Sequence, residues 1–83
     1  MIKETVKLKK LSEIPVGVQV KIHSLSDDHI VLKLMEMGCL PGEVLSVVNK
    51  APWGDPISIL ISGYLLSLRI DEAEKINVLD VNI

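Results

Sequence analysis

The sequence predicts an all-β fold: a small β-barrel of five to six strands, with one α-helix and a short helical turn before the last strand. The chain has 83 residues, the length of one domain, so residues 1–83 are expected to fold as a single unit. Only one segment has the apolar spacing of an amphipathic helix, whereas several short segments alternate between apolar and polar side chains. Closure into a barrel is favoured because it removes sheet edges that so small a chain cannot otherwise protect.

Two strands and a turn are predicted in the first part of the chain. Residues 5–8 alternate like a strand, with apolar side chains on one face. Residues 11–17 are expected to turn the chain, because Pro15 fixes its own φ and Gly17 permits a positive φ. Residues 18–23 alternate again, which predicts a half-buried strand.

A helix is predicted over residues 28–37. Its apolar residues recur at helical spacing and form one stripe: Ile30, Val31, Leu34, Met35 and Met37. The opposite face is polar and carries His29, Lys33 and Glu36. Ser26, Asp27 or Asp28 can cap the N-terminus, because each has a side-chain oxygen that accepts from free backbone N–H groups.

The helix is predicted to end at a glycine. Gly38 can adopt the left-handed conformation of a C-cap, and Cys39 then lies where a Schellman motif packs an apolar residue against Leu34. Pro41 and Gly42 come next and predict a type II turn.

The second half of the chain is predicted to be mainly β-structure. Strands are expected at residues 44–49, 57–62, 64–68 and 76–81, with a helical turn at 71–75. If Ile57, Ile59 and Ile61 point inward, Leu60 and Leu65 point outward beside small serines and form a weakly charged surface. A contiguous apolar group of this kind can mark an interface. An oligomer contact, a partner site or cover by the N-terminal segment would each explain it.

No set of residues supports catalysis or a metal site. His23 and His29 have no acid or nucleophile at a recognisable spacing, and no Gly-rich loop carries the lysine of a phosphate-binding loop. Cys39, the methionines and the histidines are potential metal ligands, but they form no paired spacing. We therefore expect no catalytic residues, no metal ligands and no cofactor.

Nucleic-acid and membrane roles are also disfavoured. The net charge is −2 and the only aromatic residues are Trp53 and Tyr64, whereas small nucleic-acid-binding barrels use basic grooves with stacking aromatics. The lysines near the start are explained as charges that prevent an edge strand from pairing with another chain. The longest weakly polar run, residues 57–68, is too short for a spanning helix. One cysteine and the lack of a signal peptide predict a cytoplasmic protein.

The only tryptophan lies in a turn segment, residues 51–56, with the sequence APWGDP. Three features would define this loop without the indole. The two prolines hold the residues before them extended, Gly54 can adopt a positive φ, and the Asp55 carboxylate can accept a hydrogen bond from the Ile57 N–H. Trp53 therefore either folds over the end of the barrel or stands out as an interface anchor.

Residues 34–78 resemble the FeoA family of bacterial ferrous-iron transport proteins. The motifs that carry the resemblance, in order, are Met37-Gly38, Leu40-Pro41-Gly42, Ala51-Pro52, Gly54-Asp55-Pro56, Gly63-Tyr64, Leu68-Arg69, Glu72-Ala73 and Ile76. Residues 11–17 are similar to the N-terminal turn of the family. The resemblance implies an SH3-like barrel without enzymatic activity. It also implies a partner, the cytoplasmic part of the membrane Fe(II) permease FeoB, so that contact with the membrane is only indirect.

The candidate partner-binding residues lie in two loops and on the hairpin: Leu40, Pro41, Gly42, Trp53, Gly54, Asp55, Leu60, Leu65 and Arg69. Relatives more often have a smaller aliphatic residue at position 53, and charge at the outward hairpin positions. Self-association through the Ile57–Leu68 hairpin is therefore a second interpretation. A metal-sensing or metallochaperone role and nucleic-acid binding through the lysine-rich segment remain alternative functions.

Overall fold

The computed structural model describes residues 7–26 and 29–81 and confirms the mainly β fold class. Six antiparallel strands form one sheet in the order β1-β6-β2-β3-β4-β5. The strands are Lys9–Lys10 (β1), Gln19–Leu25 (β2), Val44–Lys50 (β3), Ile57–Ile61 (β4), Tyr64–Leu68 (β5) and Ile76–Asp80 (β6). Two short helices, Val31–Glu36 (α1) and Ile70–Ala73 (α2), and a 3-10 turn at Leu11–Glu13 complete the fold.

One apolar core holds these elements together. Alternate residues of the long strands point into it, as the period of two in a half-buried strand requires. The core residues are Leu11, Ile14, Val20, Ile22, Leu34, Cys39, Leu45, Val47, Ile57, Ile59, Ile61, Leu68, Ala73, Ile76 and Val78. Because this core is almost entirely aliphatic, the fold depends on the packing of β-branched and leucine side chains rather than on aromatic anchors.

Helix α1 is shorter than predicted. It begins at Val31, and its N-cap residue is Ile30, whose apolar side chain supplies no capping oxygen. The Ser26 backbone N–H donates to the Lys75 carbonyl at 2.8 Å and continues the β2–β6 pairing, so Ser26 lies directly after the end of β2, five residues before the helix begins. Residues 27–28, the other predicted caps, lie outside the described residues. Met35, expected in the apolar stripe, is exposed.

The C-terminal end of α1 confirms the predicted Schellman motif. Gly38 has φ of 105°. Its N–H donates to the Met35 carbonyl, and the Cys39 N–H donates to the Leu34 carbonyl, both at 3.0 Å. This pair of bonds defines the motif. The type II turn also forms, since Gly42 has φ of 95° and the Glu43 N–H donates to the Leu40 carbonyl at 3.1 Å.

The N-terminal strand differs from the prediction. Residues 5–6 lie outside the described residues, and residues 7–8 are not in a strand. The observed strand β1 is two residues long and pairs only with β6. The lysines of β1 therefore lie at one edge of the sheet, where Lys9 Nζ is 3.5 Å from an Asp80 carboxylate oxygen.

The sheet keeps two edges, β1 and β5. Within the described ranges these edges do not pair with each other, so hydrogen bonding between strands does not close the sheet. Strand β1, with two residues, forms two pairs with β6 and does not extend the ladder further.

Replacing Gly38 with alanine should destabilise the fold by about 1–2 kcal/mol. An added Cβ would meet no atom within 4 Å, so the cost is backbone strain at positive φ rather than a clash. Chemical unfolding in urea measures the change. Gly38→Asn is the matched control and should lose less, because asparagine tolerates the left-handed region. Wild-type stability in Gly38→Ala would contradict this account of the helix end.

Candidate functional site

The β4–β5 hairpin has the predicted orientation. Ile57, Ile59 and Ile61 are buried, whereas Leu60 is 43% exposed and Leu65 is 71% exposed. Leu60 and Leu65 pair directly across the two strands. The hairpin turns through two residues with positive φ, Ser62 at 51° and Gly63 at 81°, which is the requirement of a type I′ turn. The outward leucines therefore form one apolar pair on a rigid hairpin.

The Leu40-Pro41-Gly42 turn lies near the tip of this hairpin. Between them is a cleft of about 450 Å³ lined by Glu36, Met37, Gly38, Leu40, Glu43, Ile61, Ser62, Tyr64 and Leu66. We call it the apolar cleft, because aliphatic and aromatic side chains form much of its wall. Two carboxylates, Glu36 and Glu43, line it as well, and the Ser62 hydroxyl donates to Glu43 Oε1 at 2.9 Å. Tyr64 is 69% exposed there, so the cleft is open to a partner.

A second cleft, of about 410 Å³, lies farther along β5. It is lined by Lys33, Met37, Asp55, Pro56, Ser67, Arg69 and Glu72, and we call it the charged cleft. Asp55 and Arg69, both predicted site residues, come together here although they belong to different loops. Met37 of the α1 C-terminus lines both clefts.

Glu72 organises the charged cleft. The residue is 8% exposed; its Oε2 accepts from Lys33 Nζ at 2.9 Å and its Oε1 accepts from the Arg69 backbone N–H at 2.9 Å. The pKa of Glu72 is lowered, and the hydrogen bond from Lys33 is the largest cause. The hydrogen bond from the Arg69 N–H and the positive charges of Lys33 and Arg69 lower it further, whereas burial acts in the opposite direction. Glu72 is thus a buried carboxylate that ties α2 to α1.

The APWGDP loop exposes its tryptophan. Trp53 is 91% exposed, so the interpretation of the indole as a lid on the core is wrong. The turn holds without it, because the Gly54 N–H donates to the Ala51 carbonyl at 2.7 Å and the Ala51 N–H donates to the Pro56 carbonyl at 3.0 Å. Gly54 has the predicted positive φ of 82°.

The predicted role of Asp55 in this loop is also wrong. Its Oδ1 accepts from the Ile70 N–H at 3.1 Å rather than from the Ile57 N–H. The Ile70 amide is one of the free donors at the first turn of α2, and the loop brings the carboxylate to it. Asp55 therefore connects the APWGDP loop to α2.

The potential metal ligands are dispersed. Cys39 is completely buried, and burial followed by the charge of Glu72 raises the pKa of its thiol. Both histidines are exposed. Residues 7–26 and 29–81 contain no group of three or more His, Cys, Asp or Glu side chains able to hold a metal ion. Over the same residues, no helix has the length and apolar character needed to span a bilayer.

The structure groups some predicted site residues and separates others. Leu40 joins the apolar cleft, and Asp55 and Arg69 join the charged cleft, but Trp53 lines neither. Sequence reasoning missed Lys33, Met37, Tyr64 and Glu72. Glu72 lies three residues after Arg69, which is the spacing at which a glutamate accepts from the N-cap N–H of a helix, so this bond could have been predicted. The pairing of Lys33 with Glu72 spans 39 residues, and no local pattern predicts it.

A family model and several solved structures match most of the chain. The FeoA domain model matches residues 9–79. An NMR structure of an FeoA-like protein from Clostridium acetobutylicum is 35% identical, with 93% of this chain and 91% of that one covered and a TM-score of 0.87. FeoA from Stenotrophomonas maltophilia, solved in complex with zinc and described as a prokaryotic SH3 domain protein, is 31% identical at a TM-score of 0.74, with 84% of this chain and 88% of that one covered. The SH3-like fold class is thereby confirmed.

A curated relative joins this domain to a second protein. The Fe(2+) transport protein A/Fe(2+) transporter FeoB fusion protein of Porphyromonas gingivalis is 37% identical over 70 residues, which are 83% of this chain. The chain spans 8% of the length of that relative.

Replacing Glu72 with glutamine should destabilise the fold in a pH-dependent way. A carboxyl group whose pKa is lowered by folding stabilises the native state above its unfolded pKa of about 4.3, and that stabilisation is lost as the pH falls through the folded pKa. We expect Glu72→Gln to lower the free energy of unfolding by about 1 kcal/mol at pH 7, a modest figure because Lys33 is largely exposed. Below the folded pKa the difference should disappear.

Urea unfolding at pH 7 and pH 3 provides the measurement. Glu74→Gln on the exposed side of the same segment is the matched control, and we expect its effect to be small at both pH values. A Glu72→Gln effect of equal size at both pH values would show that the side chain acts through packing instead of charge.

The Cys39 thiol should be inert in the native protein. Because the thiolate is the reacting form, burial and a raised pKa should slow reaction with an aromatic disulfide reagent by orders of magnitude relative to the urea-unfolded chain. Absorbance of the released thiolate follows the reaction. Native labelling as fast as that of the unfolded chain would contradict this and would revive a metal-handling role for Cys39.

Proposed function

The chain belongs to the FeoA family, and on that premise we propose that it is a non-enzymatic accessory protein of bacterial ferrous-iron uptake. In this proposal it acts in the cytoplasm, as one module, by binding the cytoplasmic part of an FeoB-type Fe(II) permease. The observation that carries the proposal is the fusion in the Porphyromonas gingivalis relative, in which an FeoA segment and FeoB form a single chain. Fusion holds two partners at high effective concentration, which favours pairs that interact.

The shape of the domain supports a binding role. The sheet and aliphatic core form a support, while the two most exposed apolar side chains lie in a loop and on one hairpin. Trp53 at 91% and Leu65 at 71% have the highest exposed fractions of the large hydrophobic residues described. Tryptophan is enriched among the residues that dominate interface energies, so we assign Trp53 as a principal contact with the permease.

The remaining contacts are proposed around the two clefts. Leu40 lines the apolar cleft, with Pro41 and Gly42 directly after it in the same turn, and Asp55 and Arg69 line the charged cleft. Binding there would act by shifting the balance between conformations of the permease, to the extent that one conformation is bound more tightly than another.

Capture of the isolated cytoplasmic GTP-binding domain of FeoB tests this proposal. The tagged chain is incubated with that domain without nucleotide, with GDP and with a non-hydrolysable GTP analogue. We expect capture in at least one of these states. Absence of capture in all three, confirmed by calorimetry at micromolar concentrations, would reject the proposed function.

Trp53→Ala should weaken this binding much more than it changes stability. An indole that is 91% exposed contributes little to folding, so we expect the free energy of unfolding to change by no more than about 0.5 kcal/mol. The dissociation constant should rise at least about tenfold if the indole is an interface anchor. Calorimetry and urea unfolding measure the two quantities.

Leu32→Ala is the matched control for Trp53→Ala. Leu32 is also an exposed large apolar residue, at 67%, but it lies on α1 and lines neither cleft. We expect this variant to bind like the wild type. Equal weakening by the two substitutions, or none by Trp53→Ala, would remove Trp53 from the proposed interface.

A further inference from the structure

The two edges of the sheet are protected to very different degrees. Strand β1 has two residues, both lysines, and short length and lysine are two of the usual devices that prevent pairing with another chain. Strand β5 has five residues with the sequence YLLSL, without charge or proline. Its register with β4 is continuous from Tyr64 to Leu68, so no bulge interrupts the edge. The edge at β5 therefore lacks the devices that block addition of a further strand.

The hairpin geometry defines which backbone groups of β5 are unused. In a two-residue hairpin the residues that flank the turn, Ile61 and Tyr64, form a hydrogen-bonded pair, and such pairs alternate along the ladder. Leu66 and Leu68 therefore bond to β4. The N–H and C=O groups of Leu65 and Ser67 point away from β4, and among the described strands β5 has no second neighbour.

Helix α1 forms the other wall of the space beside this edge. The apolar cleft is bounded by Met37 and Glu36 on the helix side and by Tyr64 and Leu66 on the strand side. The charged cleft continues from Met37 towards Ser67. The two clefts share Met37 and both lie beside β5, and we call the pair of them the β5–α1 groove.

We propose that the β5–α1 groove binds a single extended peptide segment, which adds to the six-stranded sheet as a further strand. Addition of a strand to a free sheet edge is a recurrent mode of peptide recognition, in which main-chain bonds give affinity and alternate side chains give specificity. The proposal goes beyond binding to a permease, because it does not depend on which protein supplies the segment.

Charge and shape define the chemistry of this segment. A side chain over the apolar cleft is aliphatic or aromatic, since it packs against Met37, Leu40 and Leu66. A neighbouring lysine or arginine pairs with Glu36 and Glu43, the two carboxylates of that cleft. Prolines are excluded at the positions that donate to the carbonyls of β5, because proline has no N–H.

A lone strand suits the groove better than the edge of a second copy of the chain. A second sheet would place its next strand about 10 Å from β5, on the side where α1 bounds the groove. A peptide requires only the nearer position, about 5 Å from β5. The bounded groove therefore selects one strand, and the self-associated pair is the alternative that the test must separate.

Selection from a phage-displayed library of random ten-residue peptides provides the probes. Enriched peptides are synthesised, and their binding to ¹⁵N-labelled protein is followed by calorimetry and amide hydrogen exchange. We expect enriched sequences with an apolar residue next to a basic one. In the free protein the Leu65 and Ser67 amides should exchange rapidly, and in the complex they should become protected while Leu66 and Leu68 change little.

Ser67→Pro and Ser67→Ala form a matched pair of variants. Proline removes the outward N–H, and proline is tolerated on an edge strand when that N–H faces solvent, so the fold should survive. Alanine keeps the N–H. We expect Ser67→Pro to weaken peptide binding at least about tenfold and Ser67→Ala to bind like the wild type.

The remaining outcomes would overturn the proposal. These are the enrichment of no peptide, equal binding by the two Ser67 variants, or binding that leaves the Leu65 and Ser67 amides unprotected. Protection that appears with rising protein concentration alone, together with a dimer in analytical ultracentrifugation, would assign the edge to a second copy. If Ser67→Pro fails to fold, protection of the Leu65 and Ser67 amides in the wild-type complex tests the proposal instead. The peptide experiment contains no permease, so its failure is distinct from failure of FeoB capture.

Discussion

Burial of Leu34 is the interaction on which the candidate site depends. Its side chain is completely buried in the core, and its carbonyl accepts the Cys39 N–H at 3.0 Å. Leu34 is the one fully buried residue of a six-residue helix, with Ile30 and Met37 at its two ends packed against the core; a helix of this length is too short to be stable alone. Since α1 supplies residues to both clefts, loss of this packing would disrupt the candidate site.

A second constraint is the hydrogen bonding of Glu72. A carboxylate with so little exposure is costly unless its oxygens are satisfied, and here each oxygen accepts one hydrogen bond, from Lys33 on α1 and from the Arg69 backbone. The same charge makes the Cys39 thiol harder to ionise. The charged cleft is therefore a structural junction as well as a surface, which distinguishes it from the apolar cleft, where Tyr64 and Leu40 are exposed.

Much of the fold was predictable because local chemistry determined it. The strands β4 and β5, the left-handed cap at Gly38 and the turn at Gly42 follow from period-two alternation and from φ values that only glycine adopts easily. The extent of β1 was not predictable, since it depends on pairing with β6, which lies far away in the sequence.

The candidate site was predictable only in part, for the same reason. Leu65 and Arg69 could be identified as outward residues from alternation, whereas the clefts form from α1, a loop and a hairpin that meet only in the folded chain. The Asp55 bond to Ile70 likewise replaces a local interaction with one between distant residues.

The exposure of Trp53 has a consequence for how the protein can be observed. It is the only tryptophan of the chain and is 91% exposed, so its emission in the native state arises from an indole surrounded by water, at one known position. The fluorescence of the folded and unfolded chains should consequently differ little. With a binding partner that contains no tryptophan, a pronounced blue shift would report desolvation of the APWGDP loop itself. The fluorescence of Trp53 therefore reports contact at this one loop and does not respond to binding elsewhere on the surface.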